Sequence, residues 1–192
     1  MNKKDIINSS QKLFKKRFNS KPTIISTAPG RINLIGEHLD YNNGVAIPCA
    51  IDRWTCVCIS KSKDNTIIVR SETLESEIIL NTDLKFKPEQ LWHKYILGSL
   101  CILQDTKKLD SGLNILINSN IPIASGLSSS AALEVSLLLS YFKLFNIEIS
   151  QKELAILSQK IDHDYLLVNS GLLDQFASIY SKENQFTFID FL

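Results

Sequence analysis

The chain has no run of basic residues, no cysteine pair at metal-ligand spacing and no apolar stretch of membrane-spanning length. Each absence removes a class of function. With 21 Lys and Arg against 20 Asp and Glu in 192 residues, the formal net charge is +1, which gives no electrostatic footprint for nucleic acid or an anionic membrane surface. Cys49, Cys56, Cys58 and Cys101 are its four cysteines. They show no Cys-x-x-Cys spacing and no nearby histidine cluster, so reduced thiols are expected rather than a zinc site or a disulfide framework. From Met1 to Ser20 lysines alternate with apolar residues instead of forming the continuous apolar core of a signal peptide, and no later segment approaches the length of a membrane span. A cytoplasmic location is the expectation. What is present is a chain 44% hydrophobic and 21% charged, enough to bury a core, with small molecules as the expected partners and no nucleic acid or membrane among them.

Ile6, Leu13, Phe14 and Phe18 fall near helical spacing and predict an amphipathic helix ending between Asn19 and Pro22. Thr23 to Thr27 reads as a strand. Ala28 to Gly44 carries Pro29, Gly30, Gly36 and Asn42-Asn43-Gly44, which is turn chemistry, and reads as a long functional loop. Val45 to Leu80 suggests a meander of strands, broken at Lys63-Asp64-Asn65 and near Leu74-Glu75. Trp92 to Leu103 predicts a helix, Leu113 to Ile117 a buried strand and Ser128 to Phe145 an apolar helix. Ser150 and Glu153 form a capping box opening another helix through about Tyr165. Gln185 to Phe191 reads as a closing apolar strand. With no repeat, low-complexity tract or linker, the pattern predicts a single α+β domain.

Three constellations carry chemistry. Pro122-Ile123-Ala124-Ser125-Gly126-Leu127-Ser128-Ser129-Ser130-Ala131-Ala132 lies between a predicted strand and a predicted helix, where small residues and free N–H groups suit a phosphate. On its own it reads equally well as a Ser-rich cap on a core helix, and it lacks the Gly-Lys-[Ser/Thr] of a P-loop. Ala28 to Asn42 contains Arg31, able to stabilise phosphoryl charge, and Glu37, His38 and Asp40, a group of donors and acceptors suited to a polyhydroxylated sugar. The third is Asp162-His163-Asp164-Tyr165 followed by Gly171-Leu172-Leu173-Asp174-Gln175-Phe176. A carboxylate beside a glycine is, taken alone, more often a helix cap than a base.

Taken together, these segments resemble the galactokinases of the GHMP kinase superfamily. The first matches the family's Pro-x-x-x-Gly-Leu-Ser-Ser-Ser-Ala, the second its Gly-Arg-x-Asn-Leu-Ile-Gly-Glu-His-x-Asp-Tyr, and the third its Gly-x-x-Asp-Gln, in the family's order. The resemblance runs from about Phe14 to Leu192 and departs at three places. Leu39 stands where the family has Thr, Ser170 where it has Cys, and Asp162 where it has Glu.

The resemblance implies the GHMP-kinase N-terminal domain over residues 1–192, an α+β, ribosomal-protein-like fold of mixed sheet packed with helices, with the C-terminal domain absent. It implies transfer from ATP to the C1 hydroxyl of galactose. Asp174 and Arg31 would be catalytic, and Glu37, His38, Leu39, Asp40 and Gly171 would meet the sugar. Ala124, Ser125, Gly126, Leu127, Ser128, Ser129 and Ser130 would wrap the ATP phosphates, with Mg²⁺ held by Ser130 and Asp162. The expected partner of the apolar end at Phe186 to Leu192 is a separately supplied C-terminal half or a second copy of the chain. The competing readings are a galactose-binding sensor without turnover, against which intact Arg31, Ser128 to Ser130 and Asp174 argue, and an inactive remnant, against which the retained charged motif residues weigh and for which the missing half weighs.

Overall fold

The computed structural model describes residues 2–107 and 109–192; Met1 and Lys108 lie outside them. Helix α1 (Lys3–Phe18) opens on a capping box, in which the Asn2 side chain accepts from the Asp5 backbone while the Asp5 side chain accepts from Asn2, and closes on left-handed Asn19. Both ends therefore satisfy backbone groups that a bare helix leaves open. Strands β1 (Ile24–Ile35), β2 (Val45–Lys61), β3 (Thr66–Ser71) and β4 (Ser76–Asn81) follow, then α2 (Leu91–Thr106), β5 (Leu113–Ser119) and α3 (Ser129–Leu144). Helix α4 (Gln151–Ile161) starts at the predicted Ser150–Glu153 capping box. A π-helical turn, Asp162–Leu166, continues it, and α5 (Leu173–Tyr180) and β6 (Ile189–Asp190) end the chain.

The sheet order is β1-β2-β5-β3-β4, with β6 paired to the start of β2. The expected meander is therefore interrupted: β3 and β4 form an antiparallel hairpin, but β5 inserts between β2 and β3, antiparallel to one and parallel to the other. Leu113, Ile115, Leu116 and Ile117 are all buried, and a strand buried on both faces belongs at a sheet's centre. Alternation along β2 sorts its side chains. Val57 and Ile59 join the main core under α2 and α3, whereas Cys56 and Cys58 join Ile6, Phe14 and Leu116 under α1. The buried cysteines are free thiols acting as small apolar fillers.

Two further expectations change. The loop read from Ala28 is strand as far as Ile35, pairing with β2 through irregularities at Pro29/Arg31 and Asn33/Ile35. Proline and glycine there mark breaks in register rather than the end of the strand. At the other end, Gln185 to Phe191 contributes only the two residues of β6, and Phe186 and Phe188 stay exposed. No helix among the described residues is long and apolar enough to cross a membrane.

Candidate functional site

Arg31 lies on β1 just past the Pro29 irregularity, and its side chain crosses to α5. Its Nε donates to Asp174 Oδ1 at 2.7 Å, its Nη2 lies 2.5 Å from the same oxygen, and its Nη1 donates to the Gly126 carbonyl at 2.8 Å. The backbone joins the same contact, with Arg31 N–H donating to the Leu127 carbonyl at 3.1 Å. Gly30 makes this approach possible, because a Cβ there would strike the Leu127 carbonyl oxygen. One cation thus holds a carboxylate and a loop together, residues that lie 143 and 95 positions away in sequence.

The loop before α3 alternates in backbone hand. Ala124, Gly126 and Ser128 have φ of 54°, 72° and 55°, and the residues between them do not share this conformation. Such alternation turns successive N–H groups toward one point and makes an anion-binding concavity. Ser125 Oγ closes the loop on the Pro122 carbonyl at 2.7 Å. Ser128, read from the sequence as a phosphate contact, turns its hydroxyl elsewhere: Oγ donates to Asp174 Oδ2 at 2.5 Å. Both oxygens of Asp174 are therefore engaged, one by Arg31 and one by a serine hydroxyl.

Beside the loop is a cleft of about 500 Å³ that includes Thr73, Leu91, Trp92, Tyr95, Ile121 and Ser130 in its walls. Sequence reasoning missed it, because its apolar walls come from α2, β5 and the β3–β4 turn and share no local pattern. Burial, then the charges of Glu134 and Asp162, push the Tyr95 hydroxyl above the usual phenol range. Glu134 was also missed; it is fully buried one helical turn after Ser130. Burial, and next the charge of Asp162, hold its carboxyl well above the ordinary value. All these donors are oxygens, the chemistry a hard divalent cation takes, and no basic side chain forms an ion pair with Asp162 or Glu134 among the described residues. The Asp162 carboxylate, hydrogen-bonded by neutral donors but paired with no cation among these, is of a kind that fits Mg²⁺.

The turn from Gly36 to Asn43 carries the remaining candidates. Asp40 Oδ2 accepts from the Leu173 N–H at 3.2 Å, at the start of the helix that bears Asp174. Gly171 lies against that carboxylate so closely that a Cβ would fall inside it. Glu37 is exposed at the turn, and His38, with φ of 62°, pairs its Nδ1 with the Tyr41 hydroxyl at 2.5 Å. Leu39 folds back against Gly44. The structure thus joins Arg31, Asp174, Ser128 and Gly126 in one cluster and Asp40 with Gly171 beside it, while Glu37 and His38 stay on the open rim.

Residues 12–61 match the galactokinase galactose-binding signature, and residues 94–182 match the N-terminal domain of GHMP kinases. A galactokinase of Staphylococcus carnosus is 38% identical over 190 residues, which cover 96% of this chain and 49% of that protein. The crystal structure of Lactococcus lactis galactokinase complexed with galactose superposes with a TM-score of 0.82 at 32% identity, covering 96% of this chain and 52% of that one. The chain belongs to the galactokinase family and matches its N-terminal half. It spans about half the length of the curated galactokinases it matches. Methanococcus jannaschii mevalonate kinase, with a TM-score of 0.76 at 24% identity over 88% of this chain and 53% of its own, shares the fold.

Proposed function

We propose that residues 1–192 form the galactose- and ATP-binding wall of a galactokinase, transferring the γ-phosphoryl group of ATP to the C1 hydroxyl of galactose. The observation that carries this reading is the Arg31–Asp174 pair set directly against the 124–128 loop. A non-transferring sensor has no use for a carboxylate whose two oxygens are held within reach of a phosphate-binding loop. The galactokinase-specific signature over residues 12–61 favours galactose over the acceptors of other GHMP kinases.

ATP would place its base in the apolar cleft at Trp92 and its phosphates across Ala124 to Ser130, where backbone N–H groups and the start of α3 face the anion. The Ser128 hydroxyl marks the position on Asp174 Oδ2 that an acceptor hydroxyl takes on binding. Asp174 then orients that hydroxyl and receives its proton, while Arg31 holds the Asp174 carboxylate in place and faces the charge of the transferring group. Ser130 and Asp162 would hold Mg²⁺, which supplies neutralisation of phosphate charge. Asp40, fixed by the Leu173 N–H and the bare Gly171, would accept from sugar hydroxyls with Glu37 and His38, and Leu39 would border them. The opposite wall of the cleft would come from a C-terminal half of the family.

Gly171→Ala separates the sugar site from the nucleotide site. The added methyl displaces the Asp40 carboxylate, so calorimetry on the chain should show galactose affinity falling by about 10-fold or more, the scale of one lost charge-assisted hydrogen bond. ATP affinity should hold within about 2-fold, because the cleft lies on other elements. Unchanged galactose binding would remove Asp40 and Gly171 from the sugar site.

A further inference from the structure

Behind Ser130, the acids Asp162 and Glu134 are joined by an amide. Gln175 follows Asp174 on α5 and is 1% exposed. Its Nε2 donates to Glu134 Oε2 at 3.1 Å and to Asp162 Oδ2 at 3.2 Å. The amide orientation follows from the donor inventory: with Oε1 turned inward, an acceptor would face the acceptor-only carboxylate of Asp162, so the nitrogen faces it. Oε1 is then left buried without a partner, which shows how much the arrangement gives up to aim the nitrogen at the acids.

An arginine or lysine in this place would also satisfy the two acids, but it would cancel the charge that attracts a cation. A neutral amide satisfies them and leaves the charge of Asp162. The second bond to Asp162 falls on the same oxygen, with Ser170 Oγ donating to Oδ2 at 2.8 Å. Ser170 is fixed in turn, since Gln159 Nε2 and His163 Nε2 both lie 2.8 Å from its carbonyl oxygen. The π-helical turn starting at Asp162 brings the carboxylate inward at this point.

We propose that Gln175 is a positioning residue for cation binding: by bridging buried Glu134 to Asp162 Oδ2 it fixes the shorter carboxylate through one oxygen while leaving its charge intact. This rests on the reading of Asp162 as a cation ligand. Because Gln175 and Asp174 are adjacent on one helix turn, the same backbone segment then sets the cation site on one side and the acceptor hydroxyl on the other.

The test uses the 192-residue chain with Mn²⁺ and ATP, read by electron paramagnetic resonance of free Mn²⁺, with galactose binding measured separately by calorimetry. Gln175→Met keeps the length and removes both donors. It is expected to weaken Mn²⁺ binding in the presence of ATP by about 10- to 100-fold, the usual effect of losing a partner of a metal ligand, and to change galactose affinity by less than about 2-fold. If that variant does not fold, Gln175→Asn, whose amide is too short to span both acids, is expected to show the same split. Mn²⁺ binding that survives both changes but is lost in Asp162→Asn overturns the role of Gln175 and leaves the cation ligand standing. Mn²⁺ binding that survives Asp162→Asn overturns the ligand reading and this inference with it. Equal loss of Mn²⁺ and galactose affinity also overturns it, since a general loss of structure moves both.

Discussion

Asp174→Ala, in the chain joined to a galactokinase C-terminal half, should lower kcat for galactose by about 10²- to 10⁴-fold, the range of a positioned general base, while KM moves by less than about 3-fold. The split follows from where the charge acts. Asp174 touches Arg31 and, in the function proposed above, the acceptor hydroxyl, and both interactions would gain most when the phosphoryl group is in transit. Its removal leaves Ser128 Oγ and two Arg31 nitrogens without their 2.5–2.7 Å partner, but none of the Asp40–Gly171 contacts is lost. Steady-state kinetics over a galactose series reads both constants. A variant with near-normal kcat would take Asp174 out of the chemistry.

Arg31→Ala should be of similar size, about 10²- to 10³-fold in kcat, as expected for a cation facing transferring phosphoryl charge. The double variant is the sharper measurement. Arg31 and Asp174 act as one unit, so the pair of changes should cost no more than about 10-fold beyond the worse single change, far short of the product of the two. Arg31→Lys is not expected to rescue. An ammonium has no planar fork to reach Asp174 Oδ1 through two nitrogens while a third serves the Gly126 carbonyl. Multiplicative effects in the double variant would show that the two residues work independently, and the clamp would then be structural.

Local features of the fold were legible in the sequence, and non-local ones were not. The capping boxes at Asn2 and Ser150 and the apolar face of α1 depend on residues three or four apart, so their pattern is visible in a short window. The place of β5 between β2 and β3 depends on contacts about 50 residues apart, and nothing local distinguishes a central strand from its neighbours. Strand β1 was cut short in the sequence reading because Pro29 and Gly30 look like a turn. In the structure the strand runs on through them with a shift in register, Pro29 opposite Trp54 and Arg31 opposite Ala50, and the Arg31 side chain crosses to Asp174 on α5.

The candidate site divides in the same way. Charged motif residues were identifiable because their types and spacing match a family. Their partners were not: the Ser128 hydroxyl turns to Asp174, and its role depends on a left-handed backbone that no sequence window specifies. Glu134 looked like one more residue of an apolar helix, and Gln175 like a neighbour of the catalytic candidate. Only their meeting with Asp162 gives them meaning. Buried polar networks of this kind are assembled by tertiary packing, and a missing member costs more than its own hydrogen bond.

The most direct measurement is ADP release by the chain joined to a galactokinase C-terminal half, with Mg-ATP and, in turn, galactose, glucose, mevalonate and homoserine. Galactose should be turned over, with phosphate appearing on the C1 oxygen by NMR, and mevalonate and homoserine should give no release above background. Turnover of mevalonate without galactose would contradict the account.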